Sequence, residues 1–210
     1  MRKFRQQKYT PISPRKTCER KSLSIIRAIS NGNNNTKTMN KDNEKEIFPI
    51  VDEEGNVLGR ITRGEAHDGR KVLHPVVHLH VFNSKGQLFL QRRPHWKDIQ
   101  PDRWDTAVGG HVDFGENIDE ALKREVREEL GITGFIPQKL GHYVFESRRE
   151  KELVYVNKTV YDGPIRPSSE ELDGGRFFSP EEIKARMGQG FFTPNFENEY
   201  KKFFLAGELS

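Results

Sequence analysis

The sequence predicts an α+β domain, and three patterns in its 210 residues carry that prediction. Runs of strand length recur along the chain, such as His74–Phe82 and Leu153–Tyr161. One segment changes period: Ile118, Leu122, Val126 and Leu130 recur every four residues and make one apolar stripe on a helix. Strands and helices follow one another without a regular β-α-β alternation, which selects α+β.

The elements read in order as follows. Residues 1–45 are polar and basic, with no sustained apolar period, so they read as a disordered tail ahead of a domain at 46–210. Residues 1–38 hold ten of the 35 Lys/Arg and one of the 31 acids, leaving the remainder with 25 basic and 30 acidic residues. The basic balance therefore belongs to the tail, and no nucleic-acid partner is expected for the domain. The tail is open to three readings: a basic arm, an organelle transit peptide, or a segment outside the working protein with Met39 as the true start.

Phe48–Val51 and Val57–Ile61 flank Asp52–Asn56, a β-hairpin pattern, and Thr62–Asp68 reads as a short helical turn. His74–Phe82 is a core strand, Asn83–Gly86 a turn and Gln87–Arg92 the returning strand. Residues 94–103 form a polar loop, and Trp104–Val112 should be one strand leading into a second loop. The helix of the apolar stripe ends at Gly131, which supplies the left-handed residue of a C-cap. Phe135–Glu146 and Leu153–Tyr161 read as strands, Pro180–Met187 as a helix N-capped by Ser179, and Phe196–Leu205 as a C-terminal helix. No run of 18 apolar residues exists, so no membrane-spanning helix is expected. Cys18 is the single cysteine, which removes disulfide frameworks and cysteine nucleophiles from the domain and makes a cytoplasmic setting the default, with organelle targeting by residues 1–38 left open.

The chemistry concentrates in residues 110–132. Glu125, Glu128 and Glu129 stand at i, i+3 and i+4, so their carboxylates converge on one patch of the helix. Two such glutamates ~5 Å apart repel by roughly 3 kcal/mol at an effective dielectric of ~20. A divalent cation removes that penalty, and magnesium prefers carboxylate oxygens. Alone, three glutamates on a helix are an ordinary solvated face. The full spacing of Gly110, Glu116, Arg124-Glu125-Val126, Glu128-Glu129 and Gly131-Ile132 arises by chance in on the order of one chain in ten million.

That spacing is identified as the complete signature of the Nudix family, and the similarity extends over roughly residues 47–205. The resemblance implies the Nudix fold, a mixed β-sheet sandwiched between helices. It also implies hydrolysis of a nucleoside diphosphate linked to another group, with Mg²⁺ or Mn²⁺ held by Glu125, Glu128, Glu129 and the carbonyl of Gly110. Arg124 is expected to neutralise and orient a neighbouring carboxylate, with Glu116 one candidate, and Arg92 and Arg93 to meet substrate phosphates with their guanidinium forks. The general base is Glu125 or a loop acid, among Glu150, Glu152, Glu170 and Glu171. The partner is a small-molecule diphosphate, with neither membrane nor nucleic acid involved, and a homodimer is an open assembly.

His67, His74 and His111 resemble the metal-binding histidines of isopentenyl-diphosphate isomerase, also a Nudix-fold enzyme; the resemblance implies an isomerase-like branch and leaves open a second metal site at these three residues. His78 and His80 share a strand face with His74. Two departures disfavour isomerase activity: Gly109 stands where the isomerase has its cysteine, and no acid falls around Val154–Val156, where its further metal glutamates are expected. The alternatives are an isomerase-like enzyme and a non-catalytic nucleotide-binding module.

Overall fold

The structure, a computed structural model, describes residues 43–97 and 99–205; the basic segment 1–38 and Met39 lie outside them. Strands β1 (Ile47–Val51) and β2 (Val57–Thr62) form the expected hairpin as a separate two-stranded sheet. Its turn is tied by Asp52, whose Oδ1 accepts the Asn56 N–H at 2.7 Å. Thr62 ends β2 and caps the one-turn helix α1 (Arg63–Ala66) through a reciprocal capping box with Glu65.

The main sheet has seven strands. β3 (Leu73–Phe82) is central, pairing antiparallel with β4 (Leu88–Arg92) and with β6 (Val108–His111), and parallel with β8 (Lys151–Val160) along all ten residues. β7 (Gln138–Glu146) adds antiparallel to β8, while β5 (Trp104–Asp105) and β9 (Gly175–Phe178) add to β4.

Helix α2 (Ile118–Leu130) is the stripe predicted from the four-residue period. Leu122, Val126 and Leu130 are fully buried against Val77, Leu79 and Val81 of β3, each contributing about 1.5–3 kcal/mol of burial. Asn117 and Glu120 cap its start reciprocally, and Gly131 ends it at φ +66°. The opposite sheet face carries α3 (Pro180–Arg186) and α4 (Pro194–Tyr200), which bury Ile183, Phe196 and Tyr200 against Leu88, Leu90 and Phe178. Ser179 caps α3 as expected. The result is a mixed sheet sandwiched between helices.

Three local expectations are corrected. The strand Trp104–Val112 breaks at Thr106-Ala107, because its first part pairs with β4 and its second with β3, so the backbone changes neighbours midway. β9 was not anticipated: four residues next to Gly174 carry too little pattern, and pairing with β4 makes the strand. The last helix starts at Pro194 under a Thr193 cap and turns π-helical over Lys201–Leu205.

Candidate active site

A cavity of about 830 Å³ opens where the α2 glutamates, the β6 glycines and His78 of β3 meet. Glu125, Glu128 and Glu129 all line it, as do Gly110, Arg124 and Arg93. The convergence of the carboxylates is a helix property, since residues three and four apart share a face. Their surroundings differ. Glu129 is buried, Glu125 nearly so, and Glu128 half exposed. Burial pushes the Glu125 carboxyl up to about 7, against the pull of Arg124 and with added repulsion from Glu128 and Glu171. Burial raises Glu129 well above the carboxylate range, helped by Glu125 and Glu171, although the Gly109 N–H donates to it. Lys97 pulls the other way through its charge, and the Gln91 partner of Glu129 stands at 3.5 Å.

Arg124 organises the rim of this cluster. Its Nε and Nη2 donate to Glu116 at 3.0 and 2.9 Å, Nη1 to Glu125 at 2.7 Å, and Nη2 also to the His111 carbonyl at 2.8 Å. The fork thus ties the loop before α2 to the helix and to the end of β6. Gly110 is needed for close approach: a Cβ there would overlap the Glu125 carboxyl group.

The two arginines where β4 ends, Arg92 in the strand and Arg93 just after it, part company. Arg93 lines the cavity, with Nη1 3.3 Å from Asp105 and Nε and Nη2 donating to the Ile99 carbonyl. Arg92 is outside the cavity lining, ion-paired to Asp102 and Asp173. Lys97 and Arg148 line the cavity as well, and neither stood out in the sequence.

The three histidines come together. His67 Nε2 and His111 Nε2 lie 3.2 Å apart, and ligand atoms of His67, His74, His111 and Glu152 all fall within 4.8 Å of one another. Glu152 corrects the expectation that the set lacks an acid: parallel pairing of β3 with β8 puts His74 opposite Glu152, two residues before Val154. Glu150 lies 3.4 Å from His67. His74 donates Nδ1–H to the Val72 carbonyl, which leaves Nε2 buried and without a partner. Burial lowers the His74 pKa, and burial with Arg63 nearby lowers that of His111 well below the usual imidazole value, so both offer lone pairs. Burial and Glu150 push Glu152 upward. Of the other acids, Glu170 and Glu171 also line the cavity, and Glu171 is the one whose charge reaches both Glu125 and Glu129.

In the sequence, His78 and His80 show only a strand face shared with His74. Both donate to Glu199 of α4, His78 Nδ1 to Oε1 at 2.7 Å and His80 Nε2 to Oε2 at 2.8 Å. Glu199 drew no attention in the sequence because its partners lie more than a hundred residues away.

The chain is similar to known proteins. A NUDIX domain family model matches residues 72–196. An uncharacterized Nudix hydrolase of Yersinia pestis is 34% identical over 150 residues, covering 71% of this chain and 81% of that protein. A second, from Pseudomonas aeruginosa, is 34% identical over 138 residues, covering 66% and 81%. Among solved structures, DR0079 from Deinococcus radiodurans superposes with TM-score 0.65 at 27% identity, covering 76% of this chain and 99% of that one. The MutT protein of Methanosarcina mazei gives TM-score 0.58 at 26% identity, covering 66% and 98%. These relatives are named Nudix or MutT proteins, so the likeness supports the hydrolase family rather than an isomerase branch. Matched across most of its folded length and complete in its signature, the chain belongs to the Nudix hydrolase family.

Proposed function

We propose that this hydrolase is a Mg²⁺- or Mn²⁺-dependent pyrophosphohydrolase that cleaves a phosphoanhydride bond of a nucleoside diphosphate linked to another group. The observation that carries the reading is the pair Glu125 and Glu129, both desolvated, with the charge of Glu125 acting on Glu129 and the Glu125 carboxyl pressed against Gly110 in the cavity. Buried carboxylates in this state fit a hard divalent cation, which removes the repulsion. Glu125, Glu128, Glu129 and the Gly110 carbonyl would hold it. When bound, such a cation supplies Lewis acidity at phosphorus and lowers the pKa of water.

The chain's own residues do the rest. Arg124 fixes Glu125 against Glu116 and keeps the loop before α2 in place. Arg93, Lys97 and Arg148 give the cavity positive charge for phosphate oxygens. Glu171, exposed beside Glu125 and Glu129, takes the proton of the attacking water. Water adds to phosphorus, the bridging P–O bond breaks, and two phosphate-bearing products leave. A metal-supplemented screen of nucleotide sugars, dinucleotides, nucleoside triphosphates and prenyl diphosphates tests the reading. Metal-dependent release of two phosphorylated products is expected; binding without turnover, or rearrangement of a C5 prenyl diphosphate with no hydrolysis, would overturn it.

The unpartnered Nε2 of buried His74 favours a second cation site at His67, His74, His111 and Glu152. Three imidazoles and one carboxylate suit a transition ion such as Mn²⁺ or Zn²⁺ better than Mg²⁺. Metal analysis after chelation and reloading should show one equivalent lost in His74→Asn and kept in Glu129→Gln.

A further inference from the structure

His78 lies in the cavity wall and has no part in the chemistry above. Its ring is held from behind by Glu199, which is 1% exposed. Glu199 Oε1 also accepts the Tyr143 hydroxyl at 2.7 Å, and Oε2 accepts His80 Nε2. A carboxylate so buried needs a positive partner. His80 completes its bonding with the Thr106 hydroxyl at 3.1 Å, and among the described residues no lysine or arginine is bonded to Glu199. His78 also feels the negative charges of Glu152 and Asp105. The counter-charge therefore falls on His78. Burial alone would lower its pKa, but the Glu199 carboxylate overrides this and holds it at about 9.

With Nδ1–H given to Glu199, the second ring N–H is at Nε2. That edge lies against Gly109, where an added Cβ would come within 3.3 Å of Nε2. The Gly109 N–H in turn donates to Glu129, so a single residue separates the imidazole from the α2 carboxylates. Resting on the reading of the cavity as a diphosphate site, we propose that His78 is a substrate-binding residue whose Nε2–H donates to a non-bridging phosphate oxygen, and that Glu199 is the positioning residue that aims it.

The test uses methylenediphosphonate, a non-hydrolysable diphosphate, with Mg²⁺ and the full chain, read by calorimetry and by imidazole nitrogen NMR. His78→Gln should weaken binding about tenfold or more, as loss of a charge-assisted hydrogen bond does. His80→Asn breaks a bond to the same carboxylate but does not line the cavity; it should cost comparable melting temperature and change affinity less than about twofold. In the wild type, the His78 Nε2 resonance should move on adding the probe, an observation that needs no variant. Equal affinity in His78→Gln and wild type, an equal loss in His80→Asn, or an unmoved Nε2 resonance would overturn the assignment. Absence of probe binding to the wild type would overturn the diphosphate reading itself, and this inference with it.

Discussion

Glu129 shows how one side chain ties stability to chemistry. Buried beside Glu125 and reached by the charge of Glu171, it is a poor carboxylate until a cation joins it. Glu129→Gln should cut kcat by about 10³-fold, the scale of losing one strong electrostatic contact in a dry site. It should also abolish the rise in melting temperature that saturating Mg²⁺ produces in the wild type. Near wild-type turnover at saturating metal would sink the assignment. Gly110 tests the same cluster from the backbone side, since its missing side chain leaves room for the Glu125 carboxyl. Gly110→Ala should displace Glu125 and lower kcat by about 10²-fold, because ångström-scale misplacement costs that much. Circular dichroism that stays native, together with a higher metal requirement for half activity, would be the signature.

At the scale of elements, α2 is both a core helix and the scaffold of the glutamates. Its buried stripe of Leu122, Val126 and Leu130 fixes its rotation, and that rotation sends Glu125 and Glu129 toward β6. The C-cap ends the helix where the chain must turn. Gly131 has φ +66°, and an added Cβ would meet Arg166 only at 3.5 Å, an ordinary contact. The cost of Gly131→Ala is then backbone strain alone, about 1 kcal/mol. For a domain of this size that is a fall of about 2–4 °C in melting temperature, measurable by calorimetry. A loss several times larger would mean that the loop after α2 is packed more tightly than the structure shows.

Across the whole molecule, Glu199 joins the two ends of the fold, reaching from α4 to His78 and His80 of β3 and to Tyr143 of β7. His78 is raised from 6.5 to about 9 on folding, so its contribution is full below about 6.5 and fades as pH rises through 9. Against the cost of burial, His78 and His80 hold Glu199 far below the carboxylate range, so its contribution is present above about 4.5 and fades as pH falls. The pair therefore stabilises most between about pH 4.5 and 6.5. Melting temperature followed from pH 6 to 10 should decline less steeply in His78→Gln than in the wild type. Glu199→Gln should cost about 3–5 kcal/mol, the penalty for breaking a buried ion pair. Identical alkaline slopes in His78→Gln and wild type would rule out this account.

What the sequence determined by itself lies within single elements. The stripe of α2, its end at Gly131, the Ser179 cap and the i, i+3, i+4 glutamates all follow from distances that helix geometry sets along the chain. Arg124 and Glu116 were paired as a candidate for the same reason, since only eight residues separate them. Tertiary structure decided the rest. Parallel pairing of β3 with β8 brought Glu152 to His74 across seventy-eight positions, and no local period encodes that register. The direction in which the chain leaves β4 put Arg93, not Arg92, in the cavity wall. The switch of partners at Thr106 split one expected strand into two, and β9 exists because β4 offers it an edge. Glu199 found His78 only when α4 packed on the sheet, 121 residues from its partner. Helical neighbours are fixed by backbone geometry, whereas neighbours across a sheet are fixed by which faces must be buried together.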